Sequence, residues 1–304
     1  MRVLVSGGTG FIGGPFVRHL VEQDHEVHVI SRHIPSQAPP GGRVLLHHLD
    51  LLTEPGAVAN LVDQVRPEGL VHLAWNATPG EFWASLDNLD WVRASLELFA
   101  AFVRCGGSRA LFAGSCAEYD WSYGDLHERS TPTTPATLYG TAKNALRQLV
   151  ERAASEVDAS VTWARLFFQY GPREPESRLV PSVISALRAG REALVSEGSQ
   201  VRDFLHVDDV ARALVALFQS EAVGPINIGS GEGVAVRDVV AMLAELLGRP
   251  DLVRFGARPT PAEPPRLVAA TELLSEATAF QPRFDLRHGL IDTIDQFGAA
   301  AHGW

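Results

Sequence analysis

The chain has 304 residues, of which 46% are hydrophobic and 20% charged, and its formal net charge at pH 7 is −10. This composition is typical of a soluble globular protein with enough residues for a sizeable core. The acidic balance and the lack of a basic cluster argue against nucleic-acid binding, and there is no apolar run of about 20 residues to span a membrane. The N-terminus lacks the pattern of a secretory signal, so we expect a cytoplasmic protein.

Cysteine and lysine are both rare in this sequence. Cys105 and Cys116 are the only cysteines, too few for a disulfide scaffold or a zinc ribbon, and we expect no metal site. Lys143 is the only lysine, so 25 of the 26 Lys and Arg residues are arginines. A lysine that stands alone against this bias suggests a position where a planar guanidinium would not serve.

In the first half of the chain, β-branched runs alternate with helical patterns. The predicted strands are Val3–Ser6, Val27–Ser31, Val44–Leu46, Gly69–Ala74, Ala110–Gly114 and Val161–Phe167. The predicted helices are Gly13–Gln23, Ala57–Val65, Leu86–Arg104 and Leu138–Ser155. This alternation predicts an α/β fold of the Rossmann type, in which a doubly wound parallel sheet is covered by helices on both faces.

The pattern changes after Gly171 and Pro172. Here the predicted elements are helices Leu179–Ala189, Asp208–Gln219 and Val236–Leu247, strands Ala193–Val195 and Pro225–Ile228, and a proline-rich loop, Arg258–Pro265. We expect a dinucleotide-binding domain over residues 1–170, to which part of 203–230 returns. Residues 171–304 would mainly form a smaller C-terminal α/β substrate-binding domain.

A glycine-rich turn joins the first predicted strand to the first predicted helix. Close backbone approach to a pyrophosphate at a helix N-terminus requires glycines in such a turn, because the free N–H groups and the helix dipole attract negative charge. The position of the turn in the first βαβ unit therefore predicts a dinucleotide site. Its predicted contacts are Gly7, Gly10, Phe11, Ile12 and Gly13.

The second predicted strand ends in Ser31 and Arg32, without the carboxylate that bonds the ribose 2′-hydroxyl of NAD. Arg32 can pair with a 2′-phosphate, so we expect NADP(H), with NAD(H) still possible and an ordinary solvated arginine as the alternative. Asp50 and Leu51 are placed to contact the adenine, although Asp50 also fits a helix cap. Ala74, at the end of the fourth predicted strand, is a further cofactor contact.

Tyr139 and Lys143 are four residues apart in a predicted helix, which places both side chains on one face. A cation beside a tyrosine is expected to lower the pKa of the phenol, so that it exchanges a proton near neutral pH. Ser115 follows the fifth predicted strand, at the carboxyl edge of the sheet where doubly wound folds bind ligands. We therefore predict that Ser115, Tyr139 and Lys143 are catalytic, although the last two alone also fit a surface pair.

These features resemble the extended short-chain dehydrogenases/reductases, specifically the NAD-dependent epimerase/dehydratase group that acts on nucleotide sugars. The resemblance covers nearly the whole chain and includes the segments Tyr170–Pro172, Arg202–Asp209 and Ile226–Gly231. It implies that Arg202 contacts the diphosphate of the substrate, and a guanidinium can grip phosphate with two hydrogen bonds. Arg266 is a further candidate for a phosphate or base contact, with a solvated loop arginine as the alternative.

The resemblance also implies a homodimer, in which the two long predicted helices of each subunit pair in a four-helix bundle. The aromatic segment Trp75–Trp83 allows three interpretations: a wall of the sugar pocket, dimer surface or plain packing. We include Trp75 and Ser115 among the expected substrate contacts. Gln169 is another, since it stands where the family often has asparagine.

The residues after Ser115 depart from the pattern of the family's dehydratases. Those enzymes carry aspartate and glutamate there, as the acid and base of water elimination, whereas this chain has Cys116 and Ala117. Glu118 is one position further along and is expected to point the other way on an extended segment. Cys116 is expected to be a packed residue at the substrate pocket rather than an acid or base.

Together these expectations favour an NADPH-dependent reductase of a nucleotide-linked 4-keto-6-deoxyhexose, with thymidine diphosphate as the expected nucleotide. Tyr139 would protonate the developing alkoxide, Ser115 would bond the same oxygen, and Lys143 would hold the nicotinamide ribose. The first alternative is a nucleotide-sugar 4-epimerase with tightly bound NAD. A non-catalytic NADP-binding sensor is the second, and the complete set of three residues argues against it.

Overall fold

A parallel sheet forms the centre of the fold in the computed structural model, which describes residues 1–33, 43–260 and 263–298. Its strands, numbered in chain order with those of the smaller sheets, are β1 (Arg2–Ser6), β2 (Glu26–Ser31), β3 (Val44–His48), β4 (Gly69–His72), β5 (Arg109–Ser115), β7 (Ser160–Leu166) and β11 (Gly224–Ile228). Within the described ranges these seven strands lie in the order β11-β7-β5-β4-β1-β2-β3, all parallel. The predicted α/β class is confirmed.

Helices cover both faces of this sheet, because each buried strand presents apolar side chains to both sides. Val3 and Val5 of β1 pack toward one face, and Leu4 packs toward the other. The helices of the described residues are α1 (Gly13–Glu22), α2 (Pro55–Val65), α3 (Asp87–Arg104), α4 (Leu138–Glu156), α5 (Leu179–Arg188), α6 (Val207–Gln219), α7 (Val236–Leu246), α8 (Glu272–Thr278) and α9 (Leu286–Gln296). Helices α1, α6 and α8 pack on the first face, and α2, α3 and α4 on the second.

A second, smaller sheet lies beside the first. It contains β6 (Asp125–Leu126), β8 (Phe168–Tyr170), β10 (Val201–His206), β12 (Gly233–Ala235) and β14 (Arg266–Ala269). A short pair is formed by β9 (Ala193–Leu194) and β13 (Val253–Arg254). The chain therefore returns to the main sheet through α6 and β11, while β10 belongs to the second sheet. Sequence patterns missed most of these strands, because two to six residues are too few for a clear alternation.

The buried carboxylate of Asp203, in β10, connects the segments Arg202–Asp209 and Ile226–Gly231, which the sequence analysis singled out. It accepts hydrogen bonds from the backbone N–H groups of Ser230 (2.6 Å), Gly231 (3.0 Å) and Ala269 (3.1 Å). The glycine-rich turn after β11 is thus tied to β10 and to the end of β14. The aspartate beside Arg202 therefore has a structural role in holding the second sheet against the first.

Several element ends differ from the sequence prediction by one or two residues, and β4 ends at His72 rather than Ala74. The early end leaves Ala74 and Trp75 in irregular backbone above the sheet edge. Residues 258–260 and 263–265 of the proline-rich loop have no helix or strand, and residues 261–262 lie outside the described part of the chain. No helix in the described ranges is long and apolar enough to cross a membrane.

Candidate active site

The turn between β1 and α1 is shaped for close backbone contact. Gly7 has a φ of 73°, and a Cβ added there would lie 2.6 Å from the backbone nitrogen of Ala74. A Cβ on Gly13 would lie 2.0 Å from the carbonyl oxygen of Gly7. The first turn of α1 has no acidic residue, and no side chain of the described residues caps it. Pro15 has no N–H and the Gly14 N–H donates to the Gly10 carbonyl at 2.9 Å, so the N–H groups open to a phosphate are those of Phe11, Ile12 and Gly13, and the cradle fits a dinucleotide.

The end of β2 lies next to the glycine-rich turn, as a ribose-binding position requires. The Ser31 hydroxyl is 3.0 Å from the Thr9 hydroxyl and donates a hydrogen bond to the carbonyl of His33 at 2.7 Å. Arg32 follows with an exposed side chain. Asp50 lies two residues after the end of β3. Its carboxylate accepts a hydrogen bond from the Leu52 N–H at 2.9 Å, so it also stabilises the turn that follows this strand.

Ser115 ends β5 and begins a short turn of 3₁₀ helix, Cys116–Glu118. Its hydroxyl accepts a hydrogen bond from the Ala117 N–H at 3.1 Å, which leaves the hydroxyl proton free to donate. The Glu118 carboxylate in turn accepts a hydrogen bond from the Ser115 N–H at 2.8 Å. This reciprocal pair is a capping box, and it fixes the serine at the sheet edge.

The expectation that Glu118 lies on an extended segment is wrong, because the capping box bends this segment into a turn. Glu118 is completely buried, and its carboxylate pairs with Arg165 of β7 at 2.9 Å. It also accepts a hydrogen bond from the indole of Trp163 at 2.8 Å. The carboxylate closest in sequence to Ser115 is thus engaged by Arg165 and Trp163 in the core of the protein.

Tyr139 lies in the first turn of α4, under an aromatic cover. The rings of Phe82 and Trp83 meet its ring edge-to-face, with centroids at 4.8 and 5.7 Å, and Trp75 lies at 6.3 Å. Its backbone N–H donates to the carbonyl of Trp83 at 3.1 Å. Of the interpretations open for the aromatic segment, the structure shows packing around the candidate catalytic tyrosine. The side chain of Trp83 remains 38% exposed, which leaves one ring facing the solvent side of the site.

Lys143 is buried one helical turn beyond Tyr139. Its ammonium donates a hydrogen bond to the carbonyl of Ala113 in β5 at 2.8 Å and lies 3.8 Å from the centre of the Trp75 indole. The Nζ atom is 6.0 Å from the centroid of the Tyr139 ring. Burial lowers the pKa of Lys143 to about 7, and the charge of Glu118 opposes this shift.

The expectation that Lys143 lowers the pKa of Tyr139 is not met in this structure. Burial raises the pKa of the phenol, while a hydrogen bond with the Ser115 side chain and the charge of Arg178 act in the opposite direction. The rings of Trp75, Phe82 and Trp83, which provide no charge, cover the tyrosine ring. A neutral phenol is thereby favoured, so Tyr139 is held in the form that can donate a proton.

A chain of buried hydrogen bonds lies behind the site and connects β1, β4 and α3. His72 Nδ1 is 2.6 Å from the Ser6 hydroxyl, and Nε2 is 2.8 Å from the Ser95 hydroxyl. The Ser95 hydroxyl donates its proton to the Trp91 carbonyl at 2.6 Å, so it can only accept a hydrogen bond from His72. The proton of the neutral imidazole therefore lies on Nε2, and Nδ1 accepts a hydrogen bond from Ser6. Burial and the charge of Lys143 lower the pKa of His72 to about 3, which keeps the ring neutral.

The predicted substrate residue Arg202 is almost completely buried and already paired. Its guanidinium donates to the Glu263 carboxylate at 2.8 Å and to the Pro264 carbonyl at 2.9 Å, both from the proline-rich loop. Cys116 lies near this charge, yet burial raises the pKa of its thiol to about 12. A buried neutral thiol agrees with the expected packing role. Gln169 is half-buried in β8 and donates to the Phe167 carbonyl at 2.6 Å.

Arg266 forms an ion pair away from the residues described above. It starts β14 and pairs with Asp125 at 2.7 Å, with both side chains about half exposed. Sequence reasoning missed two other charged residues, Glu174 and Arg178, although they follow the Tyr170–Pro172 motif that it singled out. Arg178 donates to the Ala77 carbonyl at 3.2 Å and so bridges the aromatic segment, while burial raises the pKa of Glu174 to about 8.

This arrangement matches a known family. The family model of the NAD dependent epimerase/dehydratase family matches residues 3–229. The chain belongs to this family. The resemblance inferred from the sequence is confirmed, and the chain is an enzyme of a group that works with nicotinamide dinucleotides.

Relatives with different reactions match along nearly the whole chain. A UDP-glucose 4-epimerase of Corynebacterium glutamicum is 27% identical, with 94% of this chain and 93% of the relative covered. A dTDP-4-dehydro-6-deoxy-D-allose reductase of Streptomyces bikiniensis is also 27% identical, with 97% and 95% covered. The crystal structure of a Thermus thermophilus UDP-glucose 4-epimerase in complex with NAD superposes with a TM-score of 0.84, at 26% identity and with 99% and 100% of the two chains covered. Family membership therefore leaves the reaction open between reduction and epimerisation.

Proposed function

We propose that this member of the epimerase/dehydratase family is a ketoreductase of nucleotide sugars. It reduces a 4-keto-6-deoxyhexose linked to a nucleoside diphosphate, with thymidine diphosphate as the expected nucleotide. The proposal is supported by the relative from Streptomyces bikiniensis, whose name describes a reductase of such a dTDP-sugar. Since an epimerase is equally similar, the groups around Ser115 carry more weight than this likeness.

The observation that carries the proposal is the state of the carboxylate nearest to Ser115. Water elimination needs a free acid and a free base beside the sugar. Cys116 and Ala117 provide neither, and Glu118 is committed to Arg165, to the Trp163 indole and to the Ser115 backbone. Ser115 and Tyr139 are left to act on a carbonyl oxygen, which suits hydride transfer rather than elimination.

The roles of the three residues follow from their surroundings. When bound, NADPH supplies the hydride that adds to C4 of the sugar. Tyr139 donates its phenolic proton to the oxygen of that carbon, and Ser115 donates a hydrogen bond to the same oxygen while the negative charge develops. Lys143 holds the cofactor's nicotinamide ribose with the N–H groups that remain after its bond to Ala113.

Three further features bear on the finer parts of the proposal. Arg32, without a carboxylate neighbour at the end of β2, suits the 2′-phosphate of NADP(H). The outer surfaces of α3 and α4 carry the leucines Leu89 and Leu149, 56% and 51% exposed, which suits a homodimer built on these two helices. Arg202 suits the substrate's diphosphate, although a phosphate there must displace Glu263 or share the guanidinium with it.

A 4-epimerase is the second candidate, favoured by the Corynebacterium glutamicum relative and by the shared catalytic set. An epimerase must present both faces of the intermediate ketone to the same nicotinamide, so the sugar must turn within its site. The rings of Phe82 and Trp83 pack directly against Tyr139. This crowding favours a site that holds the sugar in one orientation.

The deciding experiment follows the absorbance of the reduced nicotinamide with a dTDP-4-keto-6-deoxyglucose, using NADPH and NADH in parallel. We expect stoichiometric oxidation of NADPH and formation of the 4-hydroxy sugar. An epimerase would instead purify with NAD bound and interconvert C4 epimers without net change in absorbance. Cofactor binding without either reaction would indicate a non-catalytic sensor.

A further inference from the structure

The surroundings of Lys143 contain an uncommon arrangement, in which a tryptophan face and a carbonyl oxygen enclose a buried ammonium. The Nζ atom is 2.8 Å from the Ala113 oxygen and 3.8 Å from the Trp75 ring centre. Lys143 itself is only 2% exposed. A buried cation needs compensation for the water it has lost, and the negative face of an indole provides it.

Trp75 is held firmly in this position by its own contacts. Its indole N–H donates to the Asn88 side chain at 2.9 Å, and its ring stacks on Trp91 with centroids 5.8 Å apart. The Asn88 amide donates in turn to the carbonyls of Phe82 and Ser85, each at 2.8 Å. The indole face is therefore presented to Lys143 by a network that extends into α3 and the aromatic segment.

We propose that Trp75 is a positioning residue for Lys143, whose ammonium it holds by a cation–π contact beside Tyr139 and the cofactor site. The catalytic importance of this contact rests on the proposed function, in which Lys143 holds the nicotinamide ribose. The contact itself belongs to the free protein and is measured without substrate. Failure of the reductase assignment would therefore leave it testable.

The other titratable groups near the Lys143 ammonium are His72, Tyr139 and Glu118. His72, at the end of β4, has a pKa lowered to about 3 by burial and stays neutral above that pH. Burial raises the pKa of Tyr139, which stays protonated through neutral pH. The Glu118 carboxylate pairs with Arg165 at 2.9 Å. A titration seen at Lys143 around neutral pH therefore reports this ammonium itself.

The sequence makes the measurement selective, because Lys143 is the only lysine. Labelling with [ε-¹³C]lysine gives a single side-chain signal in an NMR spectrum, provided that no tag adds a lysine. We expect the ε-protons of the wild type to be shifted upfield by the Trp75 ring current. In Trp75→Leu this shift should vanish and the midpoint of the Lys143 titration should fall by about one pH unit, as loss of a desolvated cation–π contact implies.

Trp75→Phe keeps a weaker aromatic face, so both effects should be smaller in that variant, which also serves if Trp75→Leu fails to fold. Trp121→Phe is the matched control, because its ring contacts Trp83 rather than Lys143 and should change neither signal. The proposal is overturned if the midpoint of the folded Leu variant is unchanged or rises, or if the control lowers it equally.

The positioning role has its own readout in cofactor binding. The NADPH dissociation constant, measured by nucleotide fluorescence, should rise with pH as Lys143 loses its proton. In Trp75→Leu this inflection should move to lower pH by the same amount as the NMR midpoint. A shifted NMR midpoint with an unmoved binding inflection would refute the positioning role, and it would do so whatever sugar the enzyme uses.

Discussion

Glu118 and Arg165 form an ion pair of 2.9 Å that is buried in the core directly behind the strand end that carries Ser115. The arginine lies on β7 and the glutamate on the turn after β5, so the pair joins neighbouring strands of the main sheet. The same carboxylate receives the Ser115 N–H and the Trp163 indole. A carboxylate one position beyond those of the family's acid and base thus anchors the candidate catalytic residue Ser115.

Replacement of this carboxylate should cost stability. In Glu118→Gln, the guanidinium of Arg165 remains buried without a counter-charge, so the free energy of unfolding should fall by about 3–5 kcal/mol. Urea unfolding followed by circular dichroism measures the loss. Glu156→Gln breaks an exposed pair with Arg152 on α4 and should change the free energy by less than about 0.5 kcal/mol. Equal losses in the two variants would show that the buried pair has no special weight.

The role of Glu118 also shows where sequence reasoning ends. The glycine-rich turn, the Tyr139–Lys143 spacing and the strand–helix alternation are local patterns; they predict the main sheet, which is confirmed, and a candidate catalytic set, which stays a prediction. The partners of Glu118 lie on β7, more than forty residues further along, and no local pattern connects them. The sequence therefore could not predict that Glu118 is buried or that it lies in a turn.

The second sheet was missed for a related reason. Strand β10 runs through Val201–His206 and draws its pairing from β8, β12 and β14, which are brought together only by the tertiary fold. The prediction of a lowered pKa for Tyr139 was wrong for a similar reason. The spacing to Lys143 predicts that the two side chains share a helix face, but it does not predict that Phe82 and Trp83 cover the tyrosine. Burial by distant segments outweighed the local charge.

Removal of the phenolic proton should stop the reaction but spare cofactor binding. In Tyr139→Phe, kcat should fall about 10²–10⁴-fold, because the developing alkoxide loses its proton donor. The absorbance assay with NADPH measures the fall, and nucleotide fluorescence measures binding. Tyr123→Phe removes a hydroxyl from a tyrosine that is 56% exposed and should leave kcat unchanged. Substantial activity in Tyr139→Phe would assign the proton donor to another group.

Arg32 should decide the choice of cofactor. Loss of a charged hydrogen bond to the 2′-phosphate in Arg32→Ala should raise the KM for NADPH about 10–100-fold and leave that for NADH nearly unchanged. Steady-state kinetics with both cofactors tests this. Arg43→Ala, which removes an exposed arginine just before β3 that pairs with Asp24, should change neither value. An equal effect of Arg32→Ala on both cofactors would mean that Arg32 does not read the 2′-phosphate.

Arg202 and Glu263 should affect substrate binding in opposite directions. Arg202→Gln removes the guanidinium expected to grip the diphosphate, so the KM for the nucleotide sugar should rise about tenfold or more. Glu263→Gln removes the carboxylate that now holds this guanidinium at 2.8 Å, so the KM should fall. Inhibition by thymidine diphosphate should follow the same order. A rise in KM for both variants would show that Glu263 supports substrate binding rather than competing with it.

The buried ammonium of Lys143 should lower the free energy of unfolding of the cofactor-free protein at neutral pH, relative to a variant without the amine. Burial lowers its pKa to about 7, against about 10.4 in the unfolded chain. Between these values the unfolded chain binds a proton that the folded protein does not, so the wild type should gain stability as pH rises through this range. Lys143→Met has no such group and should lack the gain.

The difference between the two proteins isolates this effect from all other titrations. We expect the unfolding free energy of the wild type, relative to Lys143→Met, to increase by about 2–4 kcal/mol between about pH 7 and pH 10. Urea unfolding of both proteins at matched ionic strength measures it. A constant difference across this range would mean that Lys143 keeps an ordinary pKa when folded. Loss of activity in Lys143→Met together with higher stability at neutral pH would show that the charge is retained for function, at a cost in stability.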